Sequence, residues 1–130
     1  MARARIVVDM PRRHRVASAG YVYHVLNRGV ARAAIFEKDN DYSAFLDVLV
    51  EAADECPMRL LAYCLMPNHW HLVVWPRHDD ALSAYLHWLS MTHVQRWHAH
   101  HHTRGTGPLY QGRFKSFPVQ ENEHLWSLGR

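Results

Sequence analysis

Along this chain the spacing of apolar residues switches between a period of two and a period of three to four, and each switch marks an element. "YVYHVLNRG" opens with β-branched and aromatic residues and closes on Gly29, which predicts a strand over residues 21–27. From Asp39, a predicted N-cap, the apolar residues Tyr42, Phe45, Leu46, Leu49, Val50 and Ala53 recur on one helical face, and Pro57 ends the helix. Residues 58–66 and 69–75 read as two further strands, with Pro67 and Asn68 as the turn of an antiparallel hairpin and Pro76 as its stop. A second helix is expected from about Asp80 to about His98, with Leu82, Tyr85, Leu86, Leu89, His93, Arg96 and Trp97 on one side. "HAHHHTRGTGP" then loses the period and predicts a loop. "GRFKSFPVQ" follows as a fourth strand and "ENEHLW" as the start of a third helix.

The resulting order, β-α-β-β-α-β, predicts an α+β fold of the ferredoxin-like kind. Both helices must bury an apolar face, so they pack on one side of a four-stranded antiparallel sheet and leave the other side available. A length of 130 residues suits one domain. Residues 1–18 are expected to form a basic arm, flexible or lying on a polyanion, and residues 19–130 the folded domain.

Charge changes the picture more by its placement than by its total of +3. Residues 1–32 carry seven arginines against the single acid Asp9, residues 39–55 carry six acids, and residues 93–120 carry none. One basic and one acidic surface are implied, and a basic surface favours a nucleic acid over an acidic small substrate, although solubility alone is also served. Cys56 and Cys64 lack metal-ligand spacing and read as free thiols in a reducing cytoplasm. The sequence holds no membrane-length apolar run, and no signal peptide is expected.

Inside "LAYCLMPNHWHLVVWP" side chains alternate across the strand. His69, His71, Val73 and Trp75 therefore share one face, while Trp70, Leu72 and Val74 share the other. The second set is wholly apolar and belongs under the helices, which turns both imidazoles to the open face. Two neutral imidazoles on one rigid strand offer two positions to a divalent ion, while two surface histidines beside a turn would give the same spacing.

"YHVLNRG", "IF", "AYCLMPNHWHLVVWP" and "GPLYQGRFKS", in this order, resemble the catalytic domain of the bacterial IS200-like transposases, in particular the REP-associated tyrosine transposase branch. The resemblance covers residues 20–126 and includes the histidine-hydrophobe-histidine motif, here His69, Trp70 and His71. It implies a ferredoxin-like nuclease fold, single-stranded DNA with a hairpin as partner, and Mg²⁺ or Mn²⁺ held by His69 and His71. The implied chemistry is nicking and rejoining through a 5′-phosphotyrosine. In such enzymes the tyrosine sits on a helix after the last strand, and no tyrosine follows Tyr110 here. The sequence is thus expected to be a transposase lacking its nucleophile, with Tyr110, in a loop beside a basic strand, the nearest substitute. A noncatalytic single-stranded DNA or RNA binding module is the alternative. Relatives include both monomers and dimers, so the resemblance leaves a homodimer open.

Around this pair, Arg28, Arg113 and Lys115 are candidate phosphate contacts, with Arg113 and Lys115 expected on one face of the fourth strand and Phe114 opposite. His24, Asn27, Asn68 and Gln111 are candidate supports. His24 either faces the metal or braces the site from beneath, and Gln111 either meets a base or holds the preceding loop. "HAHHH" reads as adventitious metal binding, since it lacks matching cysteines and its neighbours in sequence rarely converge.

Overall fold

The computed structural model describes residues 3–6 and 21–119. In chain order it contains β1 (Arg3–Ile6), β2 (Tyr23–Arg28), a short 3-10 turn (Val30–Arg32), α1 (Asp39–Glu55), β3 (Met58–Met66), β4 (His69–Pro76), α2 (Asp79–His101) and β5 (Lys115–Pro118). The strands form one antiparallel sheet in the order β1-β3-β4-β2-β5. Without β1, the order β3-β4-β2-β5 is that of a ferredoxin-like α+β sheet, as the element order predicts.

β1 lies within the segment expected to be a basic arm. It pairs Arg3 with Leu65 and Ile6 with Ala62, so it covers the hydrogen-bonding edge of β3. The third-helix prediction, "ENEHLW", lies outside the described residues.

Helix ends differ from the sequence expectation in instructive ways. Lys38, not Asp39, occupies the N-cap of α1, because Asp41 supplies the cap from the third helical position. Its carboxylate accepts from the Glu37 and Lys38 backbone N–H groups at 2.7 and 3.2 Å. α2 continues to His101, three residues past the expected end, and stops at His102, whose left-handed φ of 57° breaks the helix. Most of the histidine run is therefore helical rather than loop.

Both helices pack on one sheet face. Phe45, Val48, Leu49 and Ala52 of α1 and Tyr85, Leu86 and Leu89 of α2 meet Val25, Leu65, Trp70, Leu72 and Val74, all buried. The alternation read from β4 places Trp70, Leu72 and Val74 there. The opposite face is not uniformly open: Val22, Leu61, Ala62, Val73, Trp75 and Val119 form a second buried cluster at one end. A bulge between Leu60 and Ala62 sets β3 against β4 in this region.

Candidate metal and nucleic-acid site

His69 and His71 project together from the sheet face opposite the helices, half-buried, with ring centroids 5.0 Å apart and nearly perpendicular. Register carries the row onto neighbouring strands. Leu26 and Arg28 of β2 pair with His71 and His69, while Cys64 and Met66 of β3 pair with the same two histidines from the other side. His24, buried and two residues along β2, stacks on His71 at 5.1 Å, its Nε2 lying 2.8 Å from His71 Nδ1.

Asn68 sits in the hairpin turn and its Oδ1 accepts from His69 Nδ1 at 2.8 Å. An amide oxygen has no proton to give, so His69 carries its hydrogen on Nδ1 and its lone pair on Nε2. Burial, and then the neighbouring Arg28 charge, holds His69 below the usual imidazole range. Burial, and then His69, does the same to His71. Both rings therefore favour the neutral, metal-ligating form.

Among the described residues, no third His, Cys, Asp or Glu joins this pair to make a three-ligand group. The one such group is Glu37, Asp41 and His101, at the junction of α1 and α2. There the cap explains Asp41, whose other oxygen lies 3.1 Å from His101 Nε2. Burial works to raise the Asp41 pKa, but the Glu37 backbone N–H, the His101 side chain and the Lys38 N–H outweigh it and hold the carboxyl low.

The basic candidates gather at the end of β2. Leu26, Asn27, Arg28, Gln111, Gly112, Arg113 and Lys115 line a groove of about 300 Å³. Arg113 and Lys115 do not share a strand face as expected, since β5 begins only at Lys115 and Arg113 lies in the preceding loop. Lys115 pairs with Leu26 and so belongs to the histidine face.

The loop is moored by the residues singled out as supports. Asn27 Nδ2 donates to the Gly112 carbonyl at 3.2 Å, and Asn27 Oδ1 accepts from the Arg28 backbone N–H at 2.9 Å. Gln111 holds the chain rather than standing free, its Oε1 accepting from the Ala31 N–H at 3.1 Å. Ala31 and Arg32 both adopt positive φ, 52° and 63°, a strained region for residues with a side chain, so this bond braces a strained turn beside the groove.

Sequence reasoning missed the anchor beneath the groove. Tyr110 pairs with Gly29 in an antiparallel bridge, and its buried hydroxyl accepts from Trp70 Nε1 at 2.9 Å and shares a hydrogen bond with His93 Nδ1. The only signal in the sequence was a histidine on the apolar side of the second helix. Burial, slightly relieved by the Trp70 hydrogen bond, pushes the Tyr110 pKa up, so its phenolate form is strongly disfavoured. Tyr110 is therefore a core residue, and the expectation that it could substitute as nucleophile is corrected.

A family model described as "Transposase IS200 like" matches residues 17–127. Among solved structures, a candidate transposase from Deinococcus radiodurans R1 is 20% identical and superposes with a TM-score of 0.63, covering 82% of this chain and 84% of the other. The structure of a REP-associated tyrosine transposase bound to a REP hairpin is 15% identical, with a TM-score of 0.62 and coverage of 92% of this chain and 67% of that one. Among curated proteins none matches. At these identities the structural likeness speaks for the fold, whereas the family match spans nearly the whole sequence: the chain belongs to the IS200-like transposase family.

Proposed function

We propose that this transposase-family domain binds single-stranded DNA carrying a hairpin and engages one of its phosphates at a divalent-ion site formed by His69 and His71. The observation that carries the reading is geometric: two imidazoles project together from the sheet face that also carries Arg28 and Lys115, beside a groove lined by these two and Arg113. The hairpin is suggested by the relative bound to a REP hairpin.

The donor set fits a weakly held Mn²⁺ or Mg²⁺ that keeps several waters. Two imidazole nitrogens suit Mn²⁺ better than Mg²⁺, whose preference for oxygen would leave more of its shell to water and phosphate. A divalent ion held by His69 and His71 would supply Lewis-acid polarisation of a phosphate oxygen. The protein's own residues do the positioning. Asn68 fixes the His69 tautomer, and a hydrogen on His71 Nδ1, shared with His24 Nε2 at 2.8 Å, would leave His71 Nε2 free to ligate. Arg28, Arg113 and Lys115 hold flanking phosphates by charge-assisted hydrogen bonds.

A labelled DNA hairpin with a single-stranded flank, titrated with the full chain, tests the reading. Binding should strengthen with Mn²⁺, weaken with EDTA, and lose its metal response in His69→Ala and His71→Ala. Binding indifferent to chelator and to both variants would support the noncatalytic single-strand module instead, a reading favoured by the burial of Tyr110. A covalent protein-DNA adduct on a denaturing gel would add the cleavage step and refute that module.

A further inference from the structure

We propose that Phe117 is a stacking platform for an unpaired base of the single-stranded flank, next to the imidazole pair. This rests on the proposed DNA-binding reading and deepens it, by naming where a base rather than a phosphate is held.

Phe117 sits on the short edge strand β5, opposite His24 in the register, with its ring 6.3 Å from the His24 ring. His24 in turn stacks on His71, and His71 meets His69. Four rings thus cross β4, β2 and β5 in one row on the face away from the helices. The row ends in a phenylalanine that is 49% exposed. Lone exposed apolar residues need no explanation, and Val50 and Met91 on the helices are of that kind. Phe117 differs in its company: two residues away on the same strand and face, Lys115 lines the basic groove.

An aromatic face beside a cation is how proteins hold single strands without base pairing. The ring stacks on the base, and the cation takes the phosphate. A base paired in a duplex hides its faces in the stack, so the platform selects unpaired nucleotides. Stacking on a phenyl ring reads a base's face and not its hydrogen-bonding edge, so the contact at Phe117 itself should tolerate any base.

The experiment uses the full chain and two DNA hairpins, one blunt and one with a short single-stranded flank carrying 2-aminopurine. Phe117→Ala should weaken binding of the flanked hairpin roughly 5- to 150-fold and leave the blunt hairpin unchanged. Phe117→Trp should restore affinity and quench the 2-aminopurine. The exposed position makes both variants compatible with the fold, which a thermal melt verifies. Unchanged affinity of Phe117→Ala for the flanked hairpin overturns the platform, as does an equal loss on both hairpins. Wild-type protein that binds neither hairpin overturns the DNA-binding reading and the platform with it, whereas wild-type binding with an indifferent Phe117→Ala removes the platform alone.

Discussion

His24 Nε2 lies 2.8 Å from His71 Nδ1, joining the first described histidine of the sheet to one member of the candidate metal pair. One of these nitrogens must donate and the other accept. If His71 donates, its Nε2 lone pair is presented outward. The bond is then a support for ligation, and losing such a support typically costs 10- to 100-fold in metal affinity. His24→Ala should therefore lower Mn²⁺ affinity by roughly that factor in calorimetric titration, and His24→Gln, which keeps an acceptor, should recover part of it. Equal Mn²⁺ affinity in wild type and His24→Ala would reduce His24 to a packing role.

The buried His93 makes stability depend on pH. Burial, eased a little by the Asp41 charge, lowers its pKa from 6.5 to about 3. Between those values the unfolded chain binds a proton that the folded chain refuses, so the contribution is whole above pH 6.5 and falls as the pH drops toward 3. The slope for this one group is on the order of 1.4 kcal/mol per pH unit. His69 and His71 are shifted the same way and add to the slope, whereas Asp41, held below its ordinary 3.8, acts only at lower pH. Urea midpoints at pH 7 and pH 5 should thus differ less in His93→Gln than in wild type. Identical pH dependence in both proteins would mean that His93 takes up its proton without unfolding.

Local periodicity was enough to read the β-α-β-β-α-β order and the facing of His69 and His71, because both depend only on alternation along single segments. It could not reveal the row His69-His71-His24-Phe117, since register between β2, β4 and β5 is set by tertiary packing. The same limit hid β1, whose alternation is brief and whose partner lies some sixty residues away: Arg3 pairs with Leu65. Tyr110 looked like a loop residue because a single bridge to Gly29 and one buried hydroxyl leave no periodic trace. Arg113 was placed on the fourth strand because its spacing from Lys115 matches a strand, whereas the hydrogen bond from Asn27 holds the chain at Gly112 in a loop. The run from His98 continues α2 because nothing in it breaks a helix before the left-handed His102.

Gly29 is required by close approach rather than by an unusual φ, which is −65°. A Cβ there would lie 2.2 Å from the Ala33 carbonyl oxygen, a backbone atom with no side-chain freedom to move away. Its own N–H donates to the Asn68 carbonyl at 2.9 Å, so the glycine ties β2 to the hairpin turn that carries His69. Gly29→Ala should cost roughly 1–3 kcal/mol in chemical unfolding. It should also weaken DNA binding beyond any effect on folding, by displacing the Tyr110 bridge and with it the basic loop. Wild-type stability in this variant would show that the turn relaxes freely.

Arg28, Arg113 and Lys115 line one groove but come from three different segments, and their effect on DNA should be separable by salt. Each phosphate neutralised on a single strand releases counterions, which lowers log K by about 0.7 per decade of salt. Removing one cation should therefore reduce that slope by about 0.7 and weaken binding almost equally for all sequences. Phe117→Ala should behave in the opposite manner, lowering affinity for an unpaired flank with the salt slope intact, because stacking releases no ions. The three charge variants, assayed by anisotropy across a salt series, thus test whether the groove meets the backbone. If Arg113→Ala lowers affinity without changing the slope, its guanidinium contacts a base or holds the loop, and the groove's phosphate role rests on Arg28 and Lys115.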